Sequence, residues 1–215
     1  MSARMKLWLF PALLYAVFVF WYTDFGGPLS DDEVEEFIEV MTGNGVSPER
    51  VDYYAQFLRN DSGRQFLMVN NLDMNENPPP VAGAPANADA DTLMALYMEH
   101  MIPELLKRAC HPVLMGPAVY STIDVTGIEG AEQWTDAALF RYRSRRALME
   151  IISNPDILGP HDLKLAALDK TIAYPIETDL YLGDPRLLLG LILLALTALA
   201  DLWRLSGKAS AGTDS

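Results

Sequence analysis

Signatures of catalysis and metal binding are what this 215-residue sequence has least of. Cys110 is the only cysteine, which excludes an intrachain disulfide and any Cys-x-x-Cys metal knuckle. One cysteine is compatible with either redox compartment. The three histidines, His100, His111 and His161, do not share the His-x-x-x-His spacing of a metal-binding helix. A phosphate-cradling glycine loop is missing, and so is a Gly-x-Ser-x-Gly nucleophile elbow. Gly127-Ile128-Glu129-Gly130 is too short and in the wrong context to serve as a nucleotide loop. No metal and no cofactor are expected.

Positive charge is scarce in the middle of the chain. Asp24 to Pro185 holds 27 of the 29 acids but only 11 of the 16 Lys and Arg. Phosphate contacts need basic clusters, so nucleic acid is excluded as an expected partner. The acidity reads first as a solubility device.

What the sequence does have is apolar runs. Half of its residues are apolar and its mean hydropathy is +0.09, high for a chain that is 21% charged. Leu7 to Tyr22 contains no charged residue, and neither does Leu187 to Ala200. The first run reads as an uncleaved membrane helix within a segment 1–23, with Trp8, Trp21 and Tyr22 near its ends. A cleaved signal peptide would need small residues where Phe20-Trp21-Tyr22 stands. The second span is expected over 187–203, with Asp201 at its edge. A buried core helix is the alternative for that run. Arg4 and Lys6 precede the first span, while Arg204 and Lys208 follow the second; Arg186 dissents. Lys and Arg bias places both termini in the cytoplasm and the acidic middle outside it. In a bacterium this is the inner membrane, with a periplasmic domain. The lipid bilayer is thus an expected partner.

Between the spans, a helical pair is expected over 24–63. Ser30 with Glu33 makes a capping box, and Pro48 starts the second helix. Docking on its own domain is the default for its apolar stripe. Gln65 to Met74 reads as a strand. The Pro- and Ala-rich stretch 75–89 is a long loop, a lid or, more simply, a tolerated insertion. Asp91 to Ala109 is the longest helix, kinked at Pro103. Val113 to Val125 is expected as a strand, 127–130 as a hairpin loop and Trp134 to Arg143 as the returning strand. Helices over Arg145 to Ser153 and Pro160 to Asp169 follow, then a strand over Thr171 to Ile176. The α+β domain is set at 64–178, a linker at 179–186 and a tail at 204–215.

Strand, helix, strand, strand, helix, strand is the ferredoxin-like split pattern. The segment Phe66 to Ile176, clearest from Glu129 to Pro175, resembles the dimeric α/β-barrel superfamily, which includes antibiotic-biosynthesis-type monooxygenases and uncharacterised stress-related domains. The resemblance implies a four-stranded antiparallel sheet with helices on one face, a homodimer formed sheet to sheet, and a small apolar or aromatic molecule held between sheet and helices. It leaves room for cofactor-free oxidative or isomerising chemistry. The alternative is a non-catalytic module holding a membrane protein partner.

Candidate site residues follow. Tyr97, His100 and Glu104 lie on one flank of the long helix, beside the face formed by Met94, Met98 and Met101. His100 would act as general base, oriented by Glu104. The bland counterpart is a solvent-facing His-Glu pair. Asn70, Tyr97, Tyr120 and Arg141 are candidate ligand contacts. Alternation puts Arg141 and Tyr142 on opposite sheet faces, so only one of them can face a pocket. Arg141, Arg143, Arg145 and Arg146 form the domain's basic cluster, for which pairing with nearby acids is the simpler expectation. His111 and His161 read as structural or exposed. The methionines of the long helix read as packing rather than copper ligands.

Overall fold

In the computed structural model, which describes residues 1–211, helix α1 (Ala3–Tyr22) begins at Ala3 rather than Leu7. The Ser2 side chain accepts from the Met5 N–H and so satisfies one of the free donors of the first turn. The chain divides into two compact units. Asp24–Thr178 is one; Met1–Thr23 with the segment from Asp179 onward is the other.

The central unit opens with α2 (Asp31–Gly43) and α3 (Pro48–Arg59). The capping box forms as the sequence indicates: Glu33 N–H donates to Ser30 Oγ, and Ser30 N–H donates to Glu33 Oε2. The apolar stripes of the pair, Val34 and Met41 on one helix and Val51 and Leu58 on the other, bury against Met149 and Ile152 of the same unit. Arg146 ties the pair down through Glu33 and Asp24.

Strand β1 (Phe66–Met74) leads through the Pro-rich loop to α4 (Ala90–Lys107), capped by Asp89 and containing Pro103. The loop is packed: Val81, Ala84 and Ala88 lie against Leu93, Ala166 and Ala167. Strand β2 is His111–Pro117, and β3 is Asp136–Tyr142. Here the sequence reading is corrected. The second strand does not reach Val125, and 127–130 is not a tight hairpin. Gly116 and Pro117 end the strand, since proline cannot donate to the ladder. The intervening residues form a long irregular connection stitched by Ala118 N–H to Thr135 O and Thr122 N–H to Glu132 O.

Helix α5 (Arg145–Ile152), the single turn α6 (Pro155–Leu158) and α7 (His161–Ala167) follow, then β4 (Leu168–Ile176). Asn154-Pro155 thus starts a turn of helix as well as ending one, with the Asn154 side chain capping it. The sheet order is β2-β3-β1-β4, all pairs antiparallel. This is an α+β, ferredoxin-like fold. Alternation gives the sheet two faces. Met68, Asn70, Leu72, Ala138 and Phe140 face α4 and α7. On the other face Leu114, Leu139, Val69 and Tyr174 make one cross-strand row.

Helix α8 (Pro185–Ala211) is longer than the expected span. The supposed tail 204–215 is helical through Ala211, and its last residues lie outside the described ones. Both α1 and α8 are long and apolar enough to cross a membrane. Within their unit they run antiparallel. Asp201 accepts from Arg4 Nε at 2.9 Å and Trp8 Nε1 at 3.1 Å, while Arg186 reaches Thr23 Oγ1 at 3.1 Å at the opposite end.

Candidate functional site

A cavity of about 540 Å³ lies between the sheet and α3, α4, α5 and α7. That is within the size range of small-molecule sites. Its lining is mainly apolar and unusually rich in sulfur: Met41, Met68, Met94, Met98, Met101 and Met115 all contribute. Methionine has three rotatable bonds and a polarisable thioether, so such a wall adapts to shape.

The polar groups are few. From the sheet come Asn70 and Tyr142; from α4, Tyr97; from α7, His161 and Lys164; from α3, Arg50 and Tyr54. Asn70 is buried, and its amide nitrogen donates to Met68 O at 3.0 Å and Ala138 O at 3.3 Å. Two carbonyl partners fix the amide orientation and leave Oδ1 as the acceptor on the cavity side. Tyr142 stacks on Phe66 with centroids 5.2 Å apart. Burial raises the pKa of both tyrosine hydroxyls at the wall, Tyr97 and Tyr142. His161 packs edge-on to Tyr97, and its Nδ1 is buried with no hydrogen-bond partner among the described residues. Lys164 stands over the Tyr97 ring at 6.0 Å. Burial lowers the pKa of Lys164; for His161 burial does the same, and the positive charges of Lys164 and Arg50 add to it.

The structure brings only some of the expected site residues together. Asn70 and Tyr97 line the cavity; His100, Glu104, Tyr120 and Arg141 do not. His100 Nε2 pairs with Ile157 O at 3.1 Å. Glu104 does not orient it, because Lys107 and Arg108, one turn further along α4, take both carboxylate oxygens. The hydrogen bonds to Lys107 and Arg108 hold the Glu104 carboxyl below its usual range. The His-Glu dyad is therefore not assembled. Tyr120 is 83% exposed on the irregular connection after β2. Arg141 is fully buried on the sheet face opposite Tyr142, donating to Gln65 Oε1 and Ala109 O. Its neighbours Arg145 and Arg146 pair with Asp61, Glu177, Glu33 and Asp24, the simpler of the two expectations for those two members of the cluster.

His161, Lys164 and Arg50 were the residues that sequence reasoning missed. A signal existed: His161 and Lys164 are one turn apart, as are Arg50 and Tyr54, each pair beside an apolar stripe. Nothing in the sequence said which stripe would roof the sheet. Among the described residues no cluster of His, Cys, Asp or Glu is arranged to hold a metal ion.

No family model and no curated protein matches this chain. Among solved structures, a protein of unknown function from Rhodopseudomonas palustris overlays with a TM-score of 0.50 at 18% identity, covering 60% of this chain and 94% of that one. Its methylated form gives 0.51 at 20% identity over 62% and 93%. A dimeric, ferredoxin-like protein of unknown function from Bacteroides fragilis is similar at a TM-score of 0.33 and 9% identity, covering 53% and 96%. At such identities the likeness to the Rhodopseudomonas structures speaks for a shared fold of the central unit and for nothing of its chemistry.

Proposed function

We propose that this protein is a membrane-anchored binding protein whose central domain holds a small apolar or aromatic molecule between its sheet and helices. One observation carries the reading. The cavity wall is apolar and adaptable, yet it presents the polar groups of Asn70, Tyr97, Tyr142 and His161, and His161 Nδ1 is buried with no hydrogen-bond partner among the described residues. Buried polar groups are normally satisfied, and unmatched ones at a cavity wall suit a ligand. The cross-strand row of Leu114, Leu139, Val69 and Tyr174 supports a homodimer formed through the outer sheet face, since apolar rows of this kind are costly in water.

The experiment is extraction of the purified full-length protein in detergent, with the extract analysed by mass spectrometry. Ala173 sits on the cavity floor beside Asn70, so Ala173→Phe fills the space. A reproducible small molecule in the parent, absent from the variant, is the expected outcome. An extract identical in the two proteins would sink the cavity as the binding site.

A further inference from the structure

Resting on that cavity reading, we propose that the bound molecule carries an anionic group, such as a carboxylate, anchored by Lys164, His161 and Arg50. The chain as a whole carries a net charge of −13, yet every charged side chain lining this cavity is basic and none of its lining residues is Asp or Glu. Several arginines elsewhere in the domain are matched by carboxylates. Arg145 has Asp61 and Glu177, Arg146 has Glu33 and Asp24, and Arg108 has Glu104 and Glu150. Lys164 and Arg50 have no carboxylate partner among the described residues; each instead stands over an aromatic ring, Tyr97 and Tyr54 respectively.

Two of the three groups act on the third. The positive charges of Lys164 and Arg50 both disfavour a proton on His161, and burial disfavours the charged forms of His161 and Lys164. The one acid acting on His161 is its sequence neighbour Asp162, which is exposed and not part of the wall. An anion placed among them would turn both penalties into attraction, and His161 Nδ1 and Lys164 Nζ would gain charge-assisted hydrogen bonds. A neutral ligand would leave the like charges uncompensated, and a cation would be repelled. The tyrosine hydroxyls and Asn70 would then serve the rest of the molecule.

The test uses the full chain in lipid nanodiscs, with empty nanodiscs as the blank. Equilibrium dialysis compares three matched probes, 2-naphthoate, 2-naphthamide and 2-naphthylmethylamine, and the octyl series of the same three end groups. The acid is expected to bind at least about tenfold more tightly than the amide, and the amine most weakly, as charge-assisted contacts in a desolvated wall require. Lys164→Met should erase the acid-over-amide ratio, and a circular dichroism spectrum and melting temperature matching the parent report that the variant is folded. Arg50→Met, at an exposed position, is the second variant and should reduce the same ratio. Acid and amide binding alike, or the amine binding best, would overturn the anionic anchor and leave the cavity reading standing. A ratio that survives both variants would overturn the assignment of these residues. Failure of all six probes to bind would take down the cavity reading itself, and the anchor with it.

Discussion

Glu33 shows how one residue can join two roles. It completes the capping box of α2 and accepts two hydrogen bonds from Arg146, at 2.6 and 3.1 Å. The Arg146 guanidinium, with the Ser30 N–H, pulls its carboxyl down to about 2 from an ordinary 4.5. A lowered folded-state pKa contributes stability above the unfolded value, and that contribution is lost as pH falls through the folded one. The window for Glu33 therefore runs from about 4.5 down to about 2. Because the side chain remains 35% exposed, water screens the pair, and Glu33→Gln should cost about 1 kcal/mol at neutral pH. Urea denaturation in mild detergent checks this. The gap between parent and variant should be full at pH 6 and close as pH approaches 2. A gap independent of pH would mean that the glutamine loses packing rather than charge. His100 makes the complementary case. Its ring is held by Ile157 O and does not line the cavity, so His100→Gln should alter stability by about 1 kcal/mol and leave ligand content unchanged.

At the scale of elements, the docking of α2 and α3 is the most exacting feature. Leu58 is 0% exposed and packs in the cluster that contains Met149 of α5. Leu58→Ala should lose about 2–4 kcal/mol by the same denaturation, because a fully enclosed site cannot collapse around the deletion. A loss below about 1 kcal/mol would mean that the helical pair is loosely held and that its stripe has another occupant. These elements were legible because their local signals agree: Ser30 and Glu33, Pro48, and apolar residues at helical spacing all specify the same two helices. The sheet was legible from the short apolar runs Phe66-Leu67-Met68-Val69 and Ala138-Leu139-Phe140, of strand rather than helix length. The error at 118–125 came from Val119, Tyr120, Ile123 and Val125, β-prone residues that propensity alone assigns to a strand. Pro117 ends the ladder, and Val119 and Ile123 are left almost fully exposed. The site was only half legible. Tyr97 and Asn70 announce themselves by placement on elements of clear periodicity. His161 and Lys164 enter through the turn between α6 and α7, and the angle of that turn is set by tertiary packing that no local pattern encodes.

For the whole molecule, two proposals can be tested: that copies pair through the outer sheet face, and that the chain crosses a bilayer with its acidic unit outside. A lysine in the middle of the outer sheet row should split the proposed homodimer. Val69→Lys is expected to halve the mass seen by mass photometry of the detergent-solubilised protein, and an unchanged mass would exclude the sheet face as the interface. Orientation rests on charge. Arg4, Lys6, Arg204 and Lys208 flank the same end of the α1–α8 pair, as the Asp201 contacts with Arg4 and Trp8 require. Arg186, the dissenter at the other end, is engaged by Asp184 at 2.5 Å and lies over the Tyr22 ring at 5.4 Å. Four basic residues at one end against one at the other set the direction of the bias. The charge pattern supports the proposal that both ends of the described chain lie in the cytoplasm and the acidic unit outside it. Membrane-impermeant maleimide on spheroplasts tests this, because the native Cys110 is buried and stays silent. Tyr120→Cys, on the exposed connection after β2, should label in intact spheroplasts. Ser2→Cys should label only after the membrane is permeabilised. The reverse pattern would place the acidic unit in the cytoplasm and show that Arg186 outweighs the four, whereas labelling of both cysteines in intact spheroplasts would mean that the two helices do not both cross.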